Sequence, residues 1–194
     1  MRGSGRPSAS AWVVAGLLLV HWILAQGAAS TKCTTFDELA HMAAGHSYWT
    51  AGDYRLQPEN GNWPQRLAGL PLVLLGYRWP GESLGAWERA NAHAVGDTFL
   101  HGRGNDADRM LFWSRGAMGL VAVALGALVY RIARALFDHR AALASAVLFV
   151  FCPTALGLGA LATSDIAAAF FFTAGAWGWW QLLQRVSARN FALS

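Results

Sequence analysis

Long apolar runs separated by short polar punctuation dominate this chain, and their lengths are those of membrane-crossing helices. The first run covers residues 11–29, and three more follow at 110–130, 141–161 and 166–184. About 20 apolar residues at helical rise match the thickness of the hydrocarbon layer. These runs are apolar on every side, unlike the one-sided helices of a soluble domain. The long mixed segment 30–108 lies between the first run and the second. Within it, residues 37–50 pattern as an amphipathic helix: at about 100° per residue, Leu39, Met42, His46 and Trp49 share one side, and Asp37, His41 and Tyr48 the other. Such a helix suits a membrane surface with its polar side toward a site, and Gly52 is its expected stop. Residues 67–75 are apolar but too short to cross, so they are expected to be interfacial or re-entrant. A second, weakly amphipathic stretch covers 86–100.

Charge then orients the spans. Arg2 and Arg6 precede the first, Arg131, Arg134 and Arg140 follow the second, and Arg185 and Arg189 follow the fourth. The turn between spans three and four has no basic residue. The positive-inside rule therefore expects both termini in the cytoplasm and the long loop outside, in a multi-pass protein of the cell membrane. The expected fold is an all-α membrane protein of about four transmembrane helices, its long extracytoplasmic first loop carrying interfacial amphipathic helices. Three segments follow: 1–29 for the tail and first span, 30–108 for the loop, and 109–194 for three further spans. Gly27-Ala28-Ala29 also fits a signal-peptide cleavage site, but His21 and Trp22 within a long block favour an anchor.

Composition narrows the function classes. Only 13% of the 194 residues are charged against 55% hydrophobic, where soluble domains carry about a quarter charged. The net charge of +4 is dispersed, with no basic cluster for nucleic acid. Cys33 and Cys152 fall in a loop and mid-span, so no disulfide is expected. No CxxC or HExxH spacing supports a metal site, although a divalent ion is compatible with the chemistry considered below.

Nine of the eleven acidic residues lie in 30–108, and the pair Asp37-Glu38 stands out just past the first span. One of these carboxylates can serve as a base toward an acceptor hydroxyl. The plainer reading of Glu38 is a capping box with Thr35, with the acids favouring the helix dipole. Asp165, after Thr163-Ser164, returns to the same membrane face, either as a helix cap or as a cavity acid. His41, one turn after Asp37, reads as a hydrogen-bond partner of Asp37, or as part of a metal or acceptor site. Arg115 sits about 9 Å into span two, deep enough to require snorkelling, a carboxylate or a phosphate. Arg66, before the short apolar segment, is either an ordinary flank or a phosphate ligand. Pro153 is expected to kink span three, Ala122 and Gly126 to pack helices closely, and His21 to be hydrogen-bonded within the membrane.

These segments, in order, are Asp37-Glu38-Leu39-Ala40-His41, Gly45-His46-Ser47-Tyr48, Gly52-Asp53-Tyr54-Arg55-Leu56-Gln57-Pro58-Glu59, Asn62-Trp63-Pro64-Gln65-Arg66, Ser114-Arg115-Gly116 and Thr163-Ser164-Asp165. Together they resemble the protein O-mannosyltransferase-like enzymes (dolichyl-phosphate-mannose-protein mannosyltransferases, glycosyltransferase family 39) of the C-type glycosyltransferase superfamily. The resemblance implies transfer of a sugar from a polyprenyl-phosphate donor, reached through the bilayer, to an extracytoplasmic protein, lipid or glycan. It implies a catalytic role for Asp37 or Glu38, a cavity or acceptor-positioning role for Asp165 and His41, and donor-phosphate contacts from Arg66 and Arg115. Asn62-Trp63-Pro64 departs from the family's His-Pro-Pro. The family also has more spans, so the chain is expected to be an N-terminal fragment. A variant reading transfers an aminosugar to a cell-surface lipid. The non-enzymatic alternative is a transport or assembly subunit with an intramembrane ion path, for which only Arg115 and His21 are placed deeply enough.

Overall fold

The computed structural model describes residues 9–81 and 84–184. Arg2, Arg6, Arg185 and Arg189, which carry part of the orientation argument, lie outside the described residues. Within them the fold is all-α: α1 (Ala9–Ser30), α2 (Phe36–Thr50), α3 (Asn62–Leu74), α4 (Gly85–Glu88), α5 (Ala92–His101), α6 (Ala107–Leu136), α7 (His139–Val150), α8 (Pro153–Gly159) and α9 (Asp165–Gln184). Helices α1, α6 and α9 are each long and apolar enough to cross a membrane, and the bent pair α7 and α8 makes a fourth where the two form one span. The protein is a multi-pass membrane protein.

Helix α1 shows how the spans associate. Val14, Leu18, His21, Ala25 and Ala29 are buried at helical spacing, while Leu19, Val20, Ile23 and Leu24 remain exposed to the lipid side. Lipid tails are as apolar as leucine, so close packing and polar contacts must hold such helices together. At Gly126 of α6, a Cβ would meet Leu18 Cδ2 at 2.6 Å and Phe149 Cδ1 at 2.8 Å. Trp22 Nε1 donates to the Gly116 carbonyl at 3.2 Å, and Ser114 Oγ donates to the Ala68 carbonyl at 2.8 Å, tying α6 to α3. The expected close packing at Ala122, which is fully buried, and at Gly126 is present.

Three expectations are corrected. Span three is broken rather than kinked: α7 stops at Val150, Pro153 starts α8, and the axes differ by 58°. Proline lacks the N–H that would continue the ladder. His21 Nδ1 lies 2.9 Å from the Val150 carbonyl left at the break. A carbonyl only accepts, so Nδ1 carries the proton. The stretch 86–100 is two helices, divided where Ala90 adopts φ 52°.

The third correction concerns α2, which is enclosed rather than laid along a surface. Glu38 and every residue from Ala40 to Tyr48 are buried, because small side chains let neighbouring helices reach its backbone. A Cβ on Gly45 would lie 1.8 Å from the Gln65 carbonyl of α3, and one on Gly96 of α5 would lie 2.2 Å from the Leu39 carbonyl. The core continues from Met42 and Ala43 through Leu72, Val95 and Phe99 to Met110 and Met118. The segment between the first two spans is thus packed onto the α6 end of the bundle.

Candidate functional site

Thr35 is the N-cap of α2, and its backbone N–H donates to Glu38 Oε2 at 2.9 Å, so the capping box is formed. The same carboxylate does much more. Arg115, eight residues into α6 and about 12 Å from its start, donates from Nε to Glu38 Oε1 at 2.8 Å and from Nη2 to Oε2 at 2.7 Å. Its other three N–H bonds go to the carbonyls of Ala29, Lys32 and Cys33 at 2.7, 3.0 and 2.9 Å. Ala162 N, from the turn before α9, completes Glu38 Oε1 at 3.0 Å. One ion pair thereby joins the end of α1, the start of α2, α6 and the approach to α9.

Both partners are sealed, with Glu38 at 0% and Arg115 at 2% exposure. Burial by itself raises the Glu38 pKa; the hydrogen bonds from Arg115, Ala162 and Thr35 and the Arg115 charge outweigh it and hold the carboxyl below its ordinary value. Guanidinium has five N–H donors, and all five of Arg115 are used. In this arrangement Arg115 has no donor left for a phosphate, and Glu38 cannot take a substrate proton without dissolving the pair. The pair gives both residues a structural role, beside the phosphate and base roles that the resemblance implies for them.

Asp37, one residue earlier on the same helical turn, is exposed. Asp165 is also exposed at the first residue of α9, where its Oδ2 accepts from Thr163 Oγ1 at 2.8 Å. His41, which interacts with the charges of both, is buried, and its Nδ1 has no partner among the described residues. Burial lowers the His41 pKa, and the opposing charges of Asp37, Asp165, Glu38 and Glu59 do not restore it. The result is a neutral imidazole at a surface of carboxylates, at the point where α2 and α9 begin. Among the described residues no group of three His, Cys, Asp or Glu side chains is arranged to hold a metal ion.

Arg66 is elsewhere. Its guanidinium lies 4.8 Å from the Trp49 ring centroid and 5.4 Å from that of Tyr54, and Nη2 donates to the Tyr54 hydroxyl. Trp49 Nε1 returns a bond to the Arg66 carbonyl at 2.8 Å. Trp49 is twelve residues beyond Asp37 on α2, roughly 18 Å at helical rise. The antiparallel run of α3 on α2 therefore carries Arg66 away from the acids at the start of α2.

The ring cluster around Arg66 was not singled out as a site in the sequence, although its residues fall in the quoted motifs. Tyr48 stacks on Tyr54 with centroids 4.5 Å apart and donates to the Gln57 carbonyl at 3.1 Å. Burial, with the Glu59 charge, pushes the Tyr48 phenol up to about 12, so it stays a donor. Gln57 Oε1 accepts from Asn60 Nδ2 at 3.1 Å and from Gln65 Nε2 at 3.0 Å, fixing the segment between α2 and α3. His46, expected on the membrane side of α2, stacks on Trp79 at 4.7 Å, and burial brings its pKa down to about 4.

Residues 109–194 match the family model of dolichyl-phosphate-mannose-protein mannosyltransferases. The match bears out the resemblance read from the motifs and indicates a glycosyltransferase of the mannosyltransferase type. It takes in α6 to α9, with Arg115 and Asp165, and leaves Asp37, Glu38, His41 and Arg66 outside it. No curated protein and no solved structure matches the chain.

Proposed function

We propose, from the family match over α6 to α9, that this chain builds the acceptor side of a glycosyltransferase site. The enzyme moves a sugar from a polyprenyl-phosphate carrier to an extracytoplasmic protein, lipid or glycan acceptor. The observation that carries this reading is the convergence of Asp37 and Asp165, 128 positions apart in the sequence, around the buried neutral His41.

In the proposed reaction the acceptor hydroxyl meets Asp37, which takes its proton as the oxygen attacks the sugar carbon attached to phosphate. The carbon–oxygen bond to the carrier breaks, and the carrier phosphate leaves with that electron pair. A base in reach of the attacking hydroxyl contributes typically 10²–10⁴-fold. Asp165 and His41 orient the acceptor. Glu38 and Arg115 act as positioning residues, holding the starts of α2 and α9 together. Arg66 remains a candidate for the donor phosphate only where the donor runs along α2 toward the Trp49–Tyr54 rings.

Asp37→Asn keeps the size and the helix-start preference of the residue and removes the base. It is expected to lower transfer about 10²-fold or more in membranes supplied with polyprenyl-phosphate sugar, with thermal stability unchanged. Transfer within a few-fold of the wild type would remove Asp37 from the chemistry. The transport reading is less well supported, because its two deep ionisable groups are committed elsewhere: His21 to the Val150 carbonyl and Arg115 to Glu38.

A further inference from the structure

The ends of α1 and α6 enclose a cavity of about 310 Å³, lined among others by Gln26, Lys32, Asp106, Asp108 and Arg109. Phe112 belongs to this cavity and also to an apolar groove of about 450 Å³ that descends past Trp22, Trp113 and Leu120. Trp113 and Leu120 continue into a second apolar hollow against Leu70 and Leu74 of α3. A mixed-charge cavity and an apolar groove therefore adjoin at Phe112. We infer that this is a binding site for a zwitterionic aminophospholipid, with the phosphate at Lys32 and Arg109, the ammonium at Asp106 and Asp108, and one acyl chain in the groove.

Charge complementarity selects the occupant. Two cations and two carboxylates line the head cavity, and Arg115, which also borders it, is neutralised by Glu38. Neither Lys32 nor Asp108 takes part in a described ion pair, and the pair between Arg109 and Asp106 is long, at 3.8 Å, and exposed. Gln26 is 6% exposed, and its Nε2 has no partner among the described residues. A headgroup with both signs meets these groups together. A purely anionic head leaves Asp106 and Asp108 facing its charge, and a quaternary ammonium offers them no N–H.

Length selects it too. From Phe112 to Leu120 the groove follows eight residues of α6, roughly 12 Å, close to the roughly 15 Å of one leaflet's hydrocarbon. That depth holds an acyl chain from the same leaflet, and it is much shorter than a polyprenyl carrier. The head cavity borders the Arg115–Glu38 pair, but the inference rests on its own lining residues and not on the proposed transfer reaction.

The test uses the whole protein in detergent, titrated with phosphatidylethanolamine, phosphatidylcholine, phosphatidylglycerol or a polyprenyl phosphate, and read by native mass spectrometry. Phosphatidylethanolamine is expected to bind about tenfold more tightly than the other two phospholipids, as for one hydrogen bond to a charged group. Asp108→Asn and Lys32→Gln, both exposed changes, should each erase that preference, and Ala117→Trp should block the groove for every chain. Equal binding of the three phospholipids would overturn the inference, as would a preference that survives both head variants. Displacement of phosphatidylethanolamine by the polyprenyl phosphate would instead make this the donor's groove and also overturn it.

Discussion

Asp37 and Glu38 are neighbours with opposite fates, because successive residues of a helix point about 100° apart. Asp37 faces out at the start of α2, while Glu38 is drawn into Arg115. Removing one partner of a buried pair costs about 3–5 kcal/mol, since the other charge is left uncompensated. Glu38→Gln is therefore expected to lose stability first and transfer second, the reverse of Asp37→Asn. Melting temperature and single-temperature activity of both variants separate the two roles. Proton linkage gives a second check. His46 is depressed from 6.5 to about 4 by burial, so the unfolded chain takes up the proton first as pH falls. Its contribution is fully present above about 6.5 and is lost between there and about 4. Glu38, also depressed, loses its contribution only below its ordinary value near 4.5. Stability is expected to decline from about pH 6.5 downward, and His46→Phe, which keeps the stack on Trp79, should flatten the upper part of that decline in pH-dependent thermal melts.

At the scale of elements, α2 is positioned by what its neighbours lack. Gly45 of α2 and Gly69 of α3 cross so closely that a Cβ on Gly69 would lie 2.3 Å from the Gly45 carbonyl carbon. No rotamer change relieves a clash with backbone. Gly45→Ala or Gly69→Ala is expected to cost about 3 kcal/mol or more and to splay the Arg66 cluster from Trp49. Gly16→Ala, which meets nothing within 4 Å, should be neutral or slightly stabilising through helix propensity. Thermal melts of the three variants decide this, and a well-folded Gly45→Ala protein would contradict the crossing. The broken third span follows the same logic in reverse: a sequence feature, Pro153, frees a backbone carbonyl, and a distant helix supplies His21 to meet it.

For the whole molecule, alternating crossings put the segment between α1 and α6 and the turn before α9 at one end of the bundle. Their contact through Glu38 and Ala162 makes that shared end a structural fact. Which compartment it faces is a matter of charge, and the arginines beside Tyr130 and His139 favour placing the α6–α7 connector in the cytoplasm. Reporter fusions after Gly61 and His139 are expected to report opposite compartments, the first extracytoplasmic. The same compartment for both would contradict the bundle itself, and a swapped result would reverse only its orientation.

The apolar runs were legible along the chain because lipid demands a full helical length of apolar residues, whatever the neighbours. Their number also determined by parity that Asp165 returns to the end carrying Asp37. The capping box at Thr35 and the intramembrane hydrogen bond of His21 were readable too, since each answers a local need. Tertiary structure decided the rest. Whether Arg115 meets a phosphate, a carboxylate or water depends on which chain segments surround it in space, and five donors found Glu38 and three carbonyls. Whether α2 lies on a surface or inside depends on how closely α3 and α5 approach, which its own periodicity does not encode. The separation of Arg66 from Asp37 arises from the antiparallel run of α3, a relation between helices that no linear spacing contains.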